Sequence, residues 1–281
     1  MKRGAEFSAT SAPPRVARSA GDPSGADERV REGAYARRQL FGGLRLLRWS
    51  HGSRFRVARE LVAPHAGRRL LDYGCGDGTF LSMVRDLFPR ATGAEVDAAL
   101  AAEAAARFAG DEGLRFVHTS ALAAEPDGSF DAAVCMEVLE HCTPETVDRV
   151  LADLRRLVAK NGTVIVSVPV ETGPALVGKQ LYRALAARRG LEGYRERETY
   201  APAEMAAMVF AGGGTAIDRP VYRSQFPSGE ANVYHGHKGF NWRALRRRIA
   251  RDFVIRRTRF SPVPLLGPLL NSQAWFELSP R

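Results

Sequence analysis

Two glutamates and a histidine stand within one short segment, EVLEH at residues 137–141. A neutral imidazole can accept a proton near pH 7, because the pKa of an ordinary histidine lies close to neutrality. His141 is therefore the candidate general base, the group that would take the proton from a hydroxyl as its oxygen reacts. Glu137 is a second candidate for catalysis. The alternative for His141 is that it only shapes a pocket or bonds to the backbone.

A glycine-rich segment, LLDYGCGDGTFL at residues 70–81, indicates a binding loop. Gly74, Gly76 and Gly78 alternate with other residues, and glycines let a ligand approach the backbone closely. The carboxylate of Asp72, just before the loop, would repel a pyrophosphate and attract an ammonium or sulfonium group. The third glycine comes one position too early for the G-x-G-x-x-G dinucleotide motif, and no Gly-Lys-Ser/Thr follows as in a Walker A loop.

A sheet with alternating helices would position these residues. Five segments have the pattern of buried strands: RLLDY, ATGAE, LRFVH, FDAAVCM and TVIVSVPV. The helical segments between them are TFLSMVRDLF, DAALAAEAAARFA and PETVDRVLADLRRLVA, the last ended by Asn161-Gly162. This alternation predicts an α/β fold, a Rossmann-like, doubly wound and mostly parallel sheet with helices on both faces. Ligands of such sheets bind at the carboxyl ends of the strands, where both segments lie.

The chain divides into four predicted regions. Residues 1–34 are expected to be a disordered basic arm, and 35–67 an N-terminal helical segment. Residues 68–170 form the predicted binding core, and 171–281 the remainder of the sheet with lid insertions that bind an acceptor. In this last region TAIDRPVYR is a candidate sixth strand, WRALRRRIARDF a basic helix and SQAWFELS an antiparallel last strand.

Composition limits the classes of protein. The formal net charge of +10 suits an anionic partner, although solvated arginines would give the same value. Three cysteines without C-x-x-C spacing indicate neither a disulfide framework nor a zinc site, and we expect a cytoplasmic location. The chain has no apolar run long enough to span a bilayer and no apolar centre of a secretory signal. No metal is expected, because the pair His235-x-His237 has no acid or cysteine placed beside it in the sequence.

The glycine segment resembles the first motif of the class I S-adenosylmethionine-dependent methyltransferases. The segments TGAEVD, SFDAAVCMEVLEH and LRRLVAKNGTVIVSVP resemble later motifs in the same order, so the resemblance covers about residues 68–170. It implies S-adenosyl-L-methionine as cofactor, S-adenosyl-L-homocysteine as product, and Glu95 as the acid that binds the ribose hydroxyls. The implied cofactor-binding residues are Asp72, Gly74, Cys75, Gly76, Gly78, Glu95, Val96, Ser120, Ala121, Met136 and Arg54. Ser120 departs from the family, which often has an acid there for the adenine amino group.

The later segments resemble methyltransferases of ubiquinone biosynthesis and of sugar modification. The resemblance implies methylation of a small-molecule, glycan or lipid-linked acceptor, with oxygen the expected site. Other candidate contacts are Tyr35, Trp49 and His51 near the cofactor, and the segment YHGHKGFNW at 234–242 near the acceptor. Peripheral contact with an anionic membrane is a further possibility, since arginines recur along WRALRRRIARDFVIRRTRF like one stripe of a helix. The alternatives are a nucleic-acid methyltransferase, although no Asn-Pro-Pro-Tyr motif follows the fourth strand, and a non-catalytic cofactor-binding protein.

Overall fold

The computed structural model describes residues 33, 36–37, 45–189 and 198–281. The predicted arm, apart from Gly33, and Tyr35 lie outside the described residues. The helices are α1 (Arg45–Val62), α2 (Thr79–Met83), α3 (Ala98–Arg107), α4 (Pro144–Leu157), α5 (Pro174–Arg188), α6 (Pro202–Val209), α7 (Trp242–Asp252) and α8 (Gly267–Leu270). The strands are β1 (Arg69–Tyr73), β2 (Arg90–Glu95), β3 (Leu114–His118), β4 (Phe130–Met136), β5 (Val158–Pro169), β6 (Val221–Gln225), β7 (Ala231–His235), β8 (Phe253–Ser261) and β9 (Gln273–Pro280).

Seven of the strands form one sheet in the order β3-β2-β1-β4-β5-β9-β8. β1 to β5 run parallel, and β9 runs antiparallel to both of its neighbours, β5 and β8. The strand order reverses direction at β1, so the loops after β1 and β4 diverge and leave a crevice between them. The predicted doubly wound, mostly parallel sheet with an antiparallel last strand is confirmed.

Alternate residues of the central strands pack into two cores, one on each face of the sheet. On one face Leu71 and Val166 contact the buried residues of α4 and α7. On the other face Leu70 and Ile165 contact those of α1 and α2. Because the central strands are covered on both faces, their sequences are almost wholly apolar. This double covering fixes the strands and therefore the loops at their carboxyl ends.

Three predicted elements differ from the structure. The helix expected to end at Asn161-Gly162 ends at Leu157, because β5 already begins at Val158 and carries a bulge opposite β4. The sixth strand begins only at Val221 and pairs with β7 in a separate two-stranded sheet. The arginine-rich segment after Asp252 is the edge strand β8, so Arg256 and Arg259 do not continue a helix stripe.

Among the described helices, none combines the length and the apolar character that a membrane span requires.

Candidate functional site

A cleft of about 1070 Å³ opens at the carboxyl ends of the parallel strands. Its floor is the loop after β1, its sides are the ends of β2 and β4, and the β6–β7 hairpin stands opposite. Of the predicted site residues, the following line it: Arg54, Asp72, Gly74, Cys75, Gly76, Glu95, Val96, Ser120, Met136, Glu137 and His141. Gly78 and Ala121 are not among the lining residues. The structure thus brings nearly all of the predicted residues, from distant parts of the chain, into one space.

The three loop glycines all adopt positive φ but have different surroundings. A Cβ on Gly74 would meet Val138 Cγ2 at 2.3 Å, and one on Gly78 would meet the Phe116 ring at 2.7 Å. A Cβ on Gly76 would meet nothing within 4 Å. Gly74 and Gly78 are therefore required by packing, whereas Gly76 exposes its backbone to the cleft.

Asp72 lies at the base of the loop with its side chain fully buried. Its Oδ1 atom has no hydrogen-bond partner among the described residues. Burial, with a smaller contribution from Glu95, raises the pKa of Asp72 to about 8. A buried carboxyl with an unpartnered oxygen is suited to a ligand that brings a hydrogen-bond donor or a positive charge.

Glu95 closes the other side of the loop at the end of β2. Its Oε2 accepts a hydrogen bond from the Gly76 N–H at 2.9 Å, and its Oε1 accepts one from the Val96 N–H at 2.8 Å. These bonds hold the carboxylate at the edge of the cleft. Oε1 also accepts a longer hydrogen bond from the Asp97 N–H at 3.3 Å, so Oε2 is the oxygen that keeps an acceptor position for a ligand hydroxyl.

The wall next to Glu95 is formed by the turn after β3. The Ser120 hydroxyl lies 2.7 Å from His118 Nδ1, and His118 Nε2 lies 2.9 Å from the Val96 carbonyl oxygen. Ser120 is therefore tied to a histidine that the sequence analysis did not single out. His118 also lines the cleft, and its position as the last residue of the third strand was the available signal.

Glu137 is held by neighbours on both of its carboxylate oxygens. Ser167 Oγ donates to Oε1 at 3.1 Å, and Arg54 NH2 lies 3.3 Å from Oε2. Its φ is 54°, and positive φ values are rare for residues other than glycine and cluster at functional sites. Arg54, predicted near the cofactor, thus pairs with Glu137 inside the cleft. Both carboxylate oxygens of Glu137 are thus engaged by neighbouring side chains.

The imidazole of His141 presents one nitrogen for chemistry. Nδ1 lies 3.0 Å from the carbonyl oxygen of His235, which can only accept, so Nδ1 carries the proton and Nε2 keeps its lone pair. Burial is the main cause that lowers the pKa of His141, and the Nδ1 bond to His235 opposes it. His141 is consequently neutral and able to accept a proton at pH 7.

Glu140 and His237 flank His141. Both carboxyl oxygens of Glu140 are buried without partners among the described residues, and Oε1 lies 3.8 Å from His141 Nε2. The rings of His141 and His237 are 5.1 Å apart, and one ligand atom from each of the three residues lies within 4.8 Å of the others. Burial and then Glu137 raise the pKa of Glu140 well above its usual range. The expectation that no acid stands beside His237 is therefore wrong.

The remaining predicted contacts are scattered. His235 is buried with Nδ1 2.8 Å from the Pro220 carbonyl oxygen, and Lys238 Nζ donates to Glu204 at 2.8 Å. Trp49 is exposed, and His51 does not line the cleft; burial, then Arg54, lowers the pKa of His51 to about 4. None of these four side chains lines the cleft.

The β6–β7 hairpin supplies the wall that faces the glycine loop. It contributes Phe226 and the consecutive residues 230–234 to the lining of the cleft. Within the predicted lid region 171–281, the sequence analysis singled out only the segment 234–242 as acceptor contacts. The earlier part of the hairpin was missed because its strands alternate weakly and are mostly exposed.

Comparison with known proteins identifies the family of this chain. The model of a family described as "Methyltransferase domain" matches residues 48–201. The ubiquinone biosynthesis O-methyltransferase of Xanthomonas oryzae pv. oryzae is 34% identical over 153 residues, 51% of this chain and 61% of the relative. An uncharacterized methyltransferase of Mycobacterium bovis is 30% identical over 119 residues, 42% of this chain and 59% of the relative. The chain thus spans about three fifths of the length of these curated relatives.

A solved structure shares the fold. A putative S-adenosylmethionine-dependent methyltransferase from Listeria monocytogenes superposes with a TM-score of 0.52 at 13% identity, covering 82% of this chain and 99% of that chain. The residues of the cleft fit the cofactor of this class: Asp72 offers a buried unpartnered oxygen, Gly76 an open backbone and Glu95 a carboxylate edge. The chain therefore belongs to the methyltransferase-domain family, within the class I S-adenosylmethionine-dependent methyltransferases.

Proposed function

We propose that this chain transfers a methyl group from S-adenosylmethionine to a hydroxyl oxygen of a small-molecule, glycan or lipid-linked acceptor. One observation carries the proposal: a single cleft joins Asp72, Gly76 and Glu95 at one end to His141 and the β6–β7 hairpin at the other. A methyl donor and an acceptor can both enter such a cleft and meet in line, which is what displacement at a sulfonium requires.

The cofactor end binds and orients. When bound, S-adenosylmethionine supplies an electrophilic methyl group on a positively charged sulfur. Glu95 would accept hydrogen bonds from the ribose hydroxyls, and Asp72 would face the positively charged part of the molecule. Ser120 would lie beside the adenine base of the cofactor, and Met136 would lie beside the path of the methyl group. Arg54 would contact the methionine carboxylate only by sharing its guanidinium with Glu137.

The acceptor end of the cleft would remove the proton of the acceptor hydroxyl. His141 Nε2, fixed by the Nδ1 bond to His235, would take the hydroxyl proton as the acceptor oxygen attacks. Glu137, the second predicted catalytic residue, would stabilise the resulting imidazolium and keep Arg54 in place. The hairpin would cover the acceptor and exclude water from the reacting atoms.

A different observation, the buried unpartnered oxygens of Glu140, favours a second way to deprotonate the acceptor hydroxyl, in which a metal ion assists. Glu140, His141 and His237 offer the oxygen and nitrogen ligands that bind divalent transition metals. The Nδ1 bond of His141 to a backbone carbonyl is the kind of outer contact that orients a ligating histidine. A cation held there would lower the pKa of an acceptor hydroxyl directly.

The two ways to deprotonate the hydroxyl are separated by His237→Ala. If His141 acts as a base without metal, turnover of this variant and of chelator-treated wild type should be close to normal. If a cation is needed, chelation should abolish turnover, added Mn²⁺, Mg²⁺ or Zn²⁺ should restore it, and His237→Ala should not recover with metal. Isothermal titration with each metal alone gives an independent measurement of binding.

The acceptor class is tested with methyl-labelled S-adenosylmethionine and fractionated lysate of the source organism. Label in small molecules, glycans or lipids supports the proposal and names the pool to purify. Label in nucleic acid or protein would replace the acceptor class. Binding of the cofactor with no label in any fraction would favour a non-catalytic cofactor-binding protein.

Two further observations support the proposed acceptor atom and the proposed location. The oxygen acceptor follows the O-methyltransferase relative, whose matched region covers about half of this chain. The three cysteines, all of which are free, support the proposed cytoplasmic location.

A further inference from the structure

Helix α5 exposes an apolar stripe. Val177, Leu181 and Leu185 are spaced four residues apart, so they lie on one side of the helix. Their exposed fractions are 51%, 63% and 45%. The opposite side buries Leu176 and Ala186 in the protein. The stripe is therefore solvent-facing although its residues are apolar.

The connection between β8 and β9, residues 262–272, packs against α5 through helix α8 and also exposes apolar residues. Leu265 is 98% exposed, and Leu266, Leu269 and Leu270 are 42%, 56% and 69% exposed. Lys179 Nζ of α5 donates to the Ser272 carbonyl oxygen at 3.1 Å, so the loop adjoins the helix. We call these residues together the leucine surface: Val177, Leu181, Leu185, Leu265, Leu266, Leu269 and Leu270.

The leucine surface lies at the same end of the sheet as the cleft. Ser261, the last residue of β8, pairs with Gln273, which also pairs with Pro169 at the carboxyl end of β5. The loop must therefore project from the edge at which the parallel strands end. With the Gln273 amide oriented so that its nitrogen donates to Ser261 Oγ, its oxygen faces the cleft and accepts from Arg54 NH2 at 2.9 Å.

Basic side chains border the apolar residues. Arg188 and Arg189 follow Leu185 by three and four residues, which places them beyond it on the same side at the end of α5, and both are exposed. The chain as a whole has a net charge of +10. Contiguous exposed apolar residues mark interaction sites in proteins. An apolar surface edged by arginines complements an anionic bilayer, whose headgroups are negative and whose interior is apolar.

We propose that the leucine surface docks on anionic phospholipid bilayers. The leucines would enter the boundary between headgroups and acyl chains, and Arg188 and Arg189 would contact the phosphates. Docking would hold the cleft beside the bilayer. If the proposed methyl transfer holds as well, the acceptors within reach would be those carried in the lipid layer.

Co-sedimentation with vesicles tests the proposal on the full chain without any assay of methylation. The vesicles are phosphatidylcholine alone and phosphatidylcholine mixed with phosphatidylglycerol. We expect binding to the mixed vesicles only, weakened by salt. The double variant Leu265→Glu, Leu269→Glu should lower the partition coefficient about tenfold or more, because two apolar insertions are lost. Val221→Glu changes an exposed apolar residue outside the leucine surface and should bind like wild type.

Circular dichroism melting of each variant shows that it is folded, as expected for changes at exposed positions. The proposal is overturned if the wild type does not bind mixed vesicles. It is also overturned if the double variant binds as well as wild type, because charge elsewhere would then carry the binding. If the wild type does not bind vesicles but forms a dimer, and the double variant is monomeric, the surface is instead an interface with a second copy of this chain.

Discussion

At the scale of single residues, Glu95 combines two tasks. It holds the loop through the Gly76 and Val96 N–H groups and presents the same carboxylate to the cleft. Glu95→Ala should weaken binding of S-adenosylhomocysteine by about 1.5–3 kcal/mol, the contribution of hydrogen bonds to a charged group. Isothermal titration measures the affinity. Glu112→Ala, at an exposed position away from the cleft, should leave it unchanged, and an equal affinity for both variants would remove Glu95 from the binding site.

His141 acts on a proton in the proposed mechanism, so its effect should depend on pH. His141→Ala should lower turnover by about 100-fold or more and leave cofactor affinity within a factor of about two. In the wild type, kcat/KM should fall on the acid side with a midpoint below 6.5, since burial lowers the pKa of His141 from that value. Steady-state kinetics between about pH 5 and pH 8 measure this midpoint. A variant with normal turnover would contradict the proposed role.

At the scale of elements, the glycine loop turns a strand into a helix within a few residues. Gly76 and Gly74 both have positive φ, but only Gly74 is packed against a neighbour, Val138. Of these two positions, Gly74 is therefore required by packing, as Gly78 is, and Gly76 is open to a ligand. The order of the parallel strands then brings the ends of β2 and β4 against this turn.

The two glycines should respond differently to a methyl group. Gly76→Ala should cost the fold only about 1–2 kcal/mol, the strain of a left-handed residue, while lowering cofactor affinity about tenfold or more. Gly74→Ala should destabilise the fold by about 2–4 kcal/mol, because its Cβ meets Val138 in addition to the strain. Urea denaturation and titration calorimetry separate the two effects. Normal affinity in Gly76→Ala would mean that the cofactor does not approach this residue.

At the scale of the whole molecule, the cleft stores unfavourable free energy in buried carboxyl groups. Burial raises the pKa values of both Asp72 and Glu140, and neither has a complete set of partners. The fold holds these groups because the two covered faces of the sheet are stabilised elsewhere, by apolar packing. A positively charged ligand would relieve the cost at Asp72.

Asp72 should make the stability of the ligand-free protein fall with rising pH. Its pKa is 3.8 when exposed and about 8 in the fold, so between these values the native state binds more protons than the unfolded state. The free energy of unfolding therefore decreases as pH rises through this window. Asp72→Asn should be more stable than wild type at pH 8 by about 1–3 kcal/mol, with a smaller difference near pH 4.

Urea denaturation at several pH values measures this difference, and titration of the same variant should show weakened cofactor binding. Asp127→Asn, at an exposed aspartate, should follow the wild-type pH dependence. A parallel course for wild type and Asp72→Asn would mean that Asp72 is not held at a raised pKa.

The sequence by itself determined the parallel sheet, the glycine loop and the acid at the end of β2. These features depend on neighbours a few residues away: the apolar character of RLLDY and ATGAE, and the positive φ that only glycine adopts without strain. The alternation of strands and helices predicted the doubly wound, mostly parallel arrangement, whereas the order of the strands came from the structure. The sequence also predicted that EVLEH would reach the same cleft, because parallel strands end at one edge.

The tertiary structure alone decided which side chains meet at the acceptor end. His141 contacts His235, 94 residues later, and Glu137 pairs with Arg54 from the helix before the first strand. The β6–β7 hairpin forms a sheet separate from the main one and lines one wall of the cleft. Such contacts join segments with no fixed spacing in the chain. They depend on how loops of irregular structure pack over the sheet, and local sequence patterns carry no information about that packing.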